Sequence, residues 1–112
     1  MAEYLLGTDN RTPLDLYRVA ISAASATDNT LVAAVSGKKI RVLQMHYGPA
    51  SSTAIKFKSG ASTDLTGAIT TATPQTLPFS PVGWYETAAG EAFVMNLGGA
   101  VQTSGSLVYI LI

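Results

Sequence analysis

A chain of 112 residues suits one domain of ordinary size, and the lack of any cysteine excludes disulfides and thiolate metal sites. Seven Lys and Arg against seven Asp and Glu give zero formal charge, which argues against a basic nucleic-acid-binding domain. Only 12% of residues are charged and 47% are hydrophobic, whereas about 25% charge is usual, so much of the surface is expected to be covered by partners. The alternative is a small β domain with a neutral, hydroxyl-rich exterior.

The opening Met1-Ala2-Glu3-Tyr4-Leu5-Leu6-Gly7 lacks the basic start and apolar run of a signal peptide. Residues 1–18 place Tyr4, Leu5, Leu6 and Tyr17 among Asp9, Asn10, Arg11 and Pro13 without a regular period. They read either as an extended arm that packs on another surface or as a first edge strand with its loop. Residues 19–112 then carry a steady strand signal. Val19–Ser25 and Asn29–Val35 are short β-prone runs separated by a turn at Ala26-Thr27-Asp28. Lys39–Tyr47 alternates Arg41, Leu43, Met45 and Tyr47 against Ile40, Val42, Gln44 and His46, both faces being apolar at the start. In Thr53–Lys58, Ile55 and Phe57 take one face and Lys56 and Lys58 the other. Leu65–Thr71 and Gln75–Phe79 are weaker runs among Gly67, Pro74, Pro78 and Pro81, which suits an edge. Glu91–Leu97 sets Phe93, Met95 and Leu97 against Val94 and Asn96, and Leu107–Ile112 is apolar on both faces, as a central strand would be. That six-residue tail is far shorter than the roughly 20 residues that span a bilayer. The expected fold is an all-β, single-domain β-sandwich, jelly-roll-like, over 19–112, with residues 1–18 as an N-terminal arm.

Chemistry is sparse. His46 is the one histidine, and no serine stands in a G-x-S-x-G elbow beside which it could act. Glu86 and Glu91 bracket a turn and could in principle form a carboxylate pair, but they more simply bond that turn's backbone. Val35-Ser36-Gly37-Lys38-Lys39 lacks the first glycine of a phosphate loop, and a strand follows where that loop needs a helix. The expectation is a protein that is no enzyme and uses no cofactor or metal. Trp84 and Tyr85 are the residues on which a carbohydrate-binding alternative would rest. Lys38, Lys39, Arg41, Lys56 and Lys58 are five of the seven basic residues, and if their strands were neighbours they would form a basic flank able to orient docking.

Several segments have a common texture: Leu31–Val35 with Gly37-Lys38-Lys39-Ile40-Arg41-Val42; Phe57-Lys58-Ser59-Gly60; Leu65-Thr66-Gly67-Ala68; Pro81-Val82-Gly83-Trp84-Tyr85-Glu86-Thr87-Ala88-Ala89-Gly90-Glu91-Ala92; and Gly105-Ser106-Leu107-Val108-Tyr109. The stretch from about Asp28 to Ile112 resembles small virion proteins of tailed bacteriophages and prophages, of the capsid decoration or cement type. The resemblance is most specific at Gly83-Trp84-Tyr85-Glu86-Thr87 and Gly90-Glu91, and it does not reach residues 1–18. It implies a homotrimer on the outer capsid surface, made in the host cytoplasm and bound to neighbouring copies of the major capsid protein. No nucleic acid or membrane is implied, and no catalytic residue. Tyr4, Leu5, Leu6 and Tyr17 would anchor the arm, and the basic flank of Lys38, Lys39, Arg41, Lys56 and Lys58 would orient docking. A tail, neck or fibre subunit is the alternative within the virion.

Overall fold

A computed structural model describes residues 15–112, in which the period-two runs become ten strands. These are β1 (Tyr17–Ala23), β2 (Thr27–Val32), β3 (Ile40–Pro49), β4 (Thr53–Ser59), β5 (Thr63–Asp64), β6 (Ile69–Thr71), β7 (Gln75–Leu77), β8 (Tyr85–Glu86), β9 (Phe93–Leu97) and β10 (Thr103–Leu111). All pairings are antiparallel, in two sheets. One runs β1-β10-β3-β7 with β8 also on β3, and the other runs β2-β9-β4-β5 with β6 also on β4. The first strand thus pairs with the last, the second with the next to last, and so inward. That nested order is the jelly-roll winding of an all-β sandwich.

Three local expectations change. Tyr17 and Arg18 belong to β1, so the boundary drawn after residue 18 falls inside a strand. Thr27 is in β2 rather than a turn, with φ of 71°, and the side chain of Asn29 bonds Ser25 O and Thr27 O around it. The run expected at Leu65–Thr71 is a strand only at its end: β6 pairs with Thr53–Ile55, while β5, paired with Lys58 and Ser59, lies ahead of it. Between them Leu65 and Thr66 bond the Phe57 carbonyl, so the edge is broken where a continuous strand was expected.

The largest correction is on β3. Its register with β10 passes from Val108↔Gln44 to Tyr109↔Val42 and leaves Leu43 unpaired. An extra residue in one strand reverses the in–out alternation beyond it. Ile40 and Val42 therefore share the core with Met45 and Tyr47, which the sequence had placed on opposite faces. Leu43 turns outward and, with Ile110, forms a second buried cluster flanked by Leu16 and Ile112.

The main core is stitched by aromatic rings from both sheets. Phe57 stacks on Phe93 with centroids 5.4 Å apart, Tyr85 lies 5.1 Å from Phe57, and Tyr47 meets Phe57 edge-on at 5.5 Å. Such contacts add to simple burial. The same burial pushes the Tyr47 and Tyr85 hydroxyls above the usual phenol range.

Strand β10 is central, as its two apolar faces implied, but its fully buried residues are Thr103, Leu107 and Ile110, with Leu111 and the following Ile112 only partly covered. Ile110→Ala should cost about 2–5 kcal/mol in a denaturant-unfolding measurement. Deleting Leu111 and Ile112 should cost less per side chain, though it also removes the two backbone bonds between Ile112 and Lys39. A truncation that costs more than twice as much as Ile110→Ala would reverse that ranking.

Candidate assembly surface

The basic residues do not form one flank. Lys39 and Arg41 lead into or lie on β3, in the first sheet, while Lys56 and Lys58 lie on β4, in the second. Four of the five also have acidic partners. Arg41 donates to Glu86 through Nη2 at 2.9 Å and Nε at 3.0 Å, and Lys39 lies 3.8 Å from the same carboxylate. Lys56 pairs with Asp64 at 3.2 Å and Lys58 with Asp28 at 3.2 Å. Lys38 is exposed in the turn before β3. The outer face of the β2-β9-β4 sheet is thus a polar ladder whose charges cancel locally, with Asn96 Nδ2 donating to Asp28 at 2.8 Å.

Residues 83–91 act as a strap between the sheets. Gly83 has φ of 92°, and a side chain there would run into the Arg41 stem at 2.6 Å, so the position calls for glycine. Trp84 N bonds Val42 O, and buried Thr87 accepts Ile40 N on Oγ1 while its own N–H bonds Ile40 O. Glu91 receives the Ser59 hydroxyl at 2.6 Å, and Ser59 Oγ in turn accepts Ala88 N, which ties the strap to β4. Glu86 and Glu91 are therefore each held by a different partner, one an ion pair on the first sheet and one a hydroxyl on the second.

Trp84 and Tyr85 do not share a platform. They alternate across the strand: Tyr85 packs on Phe57 and Phe93 in the core, while Trp84 faces out, its indole N–H donating to Pro78 O at 2.7 Å. Trp84 belongs instead with the loop from Pro78 to Trp84 that joins β7 to β8. Ser80 N bonds Leu43 O and Gly83 N bonds Ser80 O, so the loop is braced against β3. It holds Val82 outward at 80% exposure, between Phe79 at 42% and Trp84 at 43%. Residue-by-residue reading missed Phe79 and Val82 because they fall between strands. Their signal is a Pro-x-x-Pro-x-Gly frame that carries large apolar residues where a turn is normally polar.

Tyr17 is half-exposed and stacks on Tyr109 with centroids 5.3 Å apart, so it serves β1 and the sheet end directly. Tyr4, Leu5 and Leu6 lie outside the described residues. His46 sits on the outer face of β3, with Nδ1 3.4 Å from Ser106 Oγ. Among the described residues no three His, Asp or Glu side chains gather as metal ligands would. No helix among them is long and apolar enough to cross a membrane. Compared with models of known protein families and with curated proteins, the chain matches none.

Asp28 offers a pH test. The Asn96 hydrogen bond, with Lys58 beside it, holds its carboxyl below the ordinary value of 3.8 despite some desolvation. A carboxyl depressed in the folded state adds stability that is complete above its unfolded pKa and is lost as pH falls through the folded one. Asp28→Asn should therefore lower stability at neutral pH and flatten the decline toward about pH 2, read from urea midpoints. Asp28→Ala should cost about 1–2 kcal/mol, below the range for a fully buried pair because the Asp28 side chain is 38% exposed. Identical acid limbs in wild type and Asp28→Asn would show that the carboxylate contributes nothing.

Proposed function

We propose that this chain is a structural subunit that works by assembly, and that it decorates the outside of a tailed-phage capsid as a homotrimer, clamping neighbouring copies of the major capsid protein. The observation that carries the assembly reading is the braced loop at 78–84. It presents Val82 and Trp84 outward on a backbone fixed to β3 by two hydrogen bonds, Ser80 N to Leu43 O and Trp84 N to Val42 O, and closed on itself by the Trp84 indole bond to Pro78 O. Apolar side chains held rigidly in solvent lose little entropy on docking, which is how interface anchors gain affinity. Cations neutralised by their own neighbours also leave little net charge to oppose association. A packed two-sheet sandwich resists deformation, as a clamp on a pressurised shell must. The capsid setting itself rests on the resemblance of residues 28–112, and a tail, neck or fibre subunit would draw the same support.

Light scattering after size exclusion should give three times the chain mass for the full protein. Val82→Asp should weaken that association at least tenfold, about 1.4 kcal/mol, with folding intact by circular dichroism. A monomeric wild type indistinguishable from Val82→Asp would count against the loop as an interface and against self-assembly in solution.

A further inference from the structure

Two adjacent rows of side chains cross the outer face of the β1-β10-β3 sheet. In register, one row is Ala20, Ser106 and His46, and the next is Arg18, Val108 and Gln44. Residues two apart on a strand share a face, so all six point away from the core. Ala20 and Ser106 are small, while Arg18, Gln44 and His46 are long. Adjacent strands lie about 4.8 Å apart, so Arg18 rises about 10 Å from the strand that carries Gln44 and His46. The small middle position leaves a shallow depression of about 210 Å³ between them, lined by Arg18, Gln44, His46, Ser106, Leu107 and Val108.

The lining is rich in hydrogen-bond donors: a guanidinium, a carboxamide, a hydroxyl and an imidazole. Among the described residues it also lacks an acid. Lys39, Arg41, Lys56 and Lys58 each have a carboxylate partner, but among the described residues Arg18 has none. A second depression of about 240 Å³ adjoins it, lined by Leu16, Tyr17, Arg18 and Val108. Arg18 and Val108 belong to both, so a cationic hollow and a mostly apolar one form a single surface.

We propose that the Arg18–His46 depression is a carboxylate-binding site whose occupant is an Asp or Glu side chain on a protein surface docked against this sheet. A planar guanidinium receives a carboxylate through two parallel N–H bonds, and the opposite wall supplies further donors at that reach. The apolar hollow beside it fits the neighbouring residues of a folded partner and has no use for a small free acid. The choice of a protein occupant rests on the assembly reading above; the carboxylate chemistry does not.

The test is a 15N-resolved NMR titration of the full-length protein with blocked glutamate (N-acetyl-glutamate N-methylamide) and with blocked glutamine as its neutral isostere. Saturable shifts are expected for Arg18, Gln44, His46 and Ser106 with blocked glutamate, with a Kd on the order of millimolar. Arg18→Gln and the cavity-filling Ser106→Leu should each weaken binding at least tenfold, while Lys56→Gln on the other sheet leaves it unchanged. Equal shifts with blocked glutamine, an equal loss in Lys56→Gln, or the absence of any saturable shift would overturn the site. The mass measurement reads a separate quantity. Arg18-dependent binding in a protein that never associates keeps the carboxylate chemistry and rejects its protein occupant.

Discussion

Strand β10 is paired with β3 from Thr103 to Leu111 at one edge and with β1 from Thr103 to Tyr109 at the other, and this insertion of the last strand between the first and third closes the sandwich. The β3 edge requires close approach. Gly105 sits where any side chain would collide with His46 O and the Tyr47 backbone, so the β10–β3 contact depends on that one glycine. Threaded this way, β10 sends Leu107 into the main core and Ile110 into the outer cluster with Leu43. This pairing joins the two ends of the described chain, a topology of high contact order, which slows folding.

The segment with the most distinctive residues turns out to carry structure. Gly83, Thr87 and Glu91 make the strap that binds the start of β3 to β4, and Glu86 neutralises Arg41 and Lys39. A string such as Gly-Trp-Tyr-Glu-Thr attracts attention as a possible binding motif. Here its tyrosine fills the core, its threonine satisfies a buried backbone N–H, and its glutamate answers a neighbouring strand. Trp84 alone remains outside, and it joins a loop whose other members looked unremarkable in the sequence.

The two outer faces divide the surface chemistry. On the second sheet, Asp28, Asn96, Lys56, Lys58 and Asp64 form a self-contained polar layer. On the β1-β10-β3 part of the first, small and polar side chains surround Arg18, which has no acid partner among the described residues, next to an apolar patch. Low overall charge therefore does not mean a uniform exterior. The acids are taken up in ion pairs on both sheets, with Glu86 on the first and Asp28 and Asp64 on the second, which leaves the β1-β10-β3 part of the first sheet comparatively bare, as docking surfaces are.

The all-β class, the strand-by-strand alternation of β4 and β9, and the central place of β10 were legible in the sequence, because each depends on side chains within one short run. The basic flank was not, since whether Lys39 and Arg41 neighbour Lys56 and Lys58 is decided by which sheet each strand joins. Neither was the phase of β3. The unpaired Leu43 reverses the alternation, and nothing local marks it; only pairing with β10 forces the skipped residue. The sequence by itself determined which residues prefer strands and how little charge the surface can hold. The tertiary structure decided which residues meet, because sheet order and register are set by contacts between positions far apart in the chain, and it is those contacts that bring Arg18, Gln44, His46 and Ser106 onto one face.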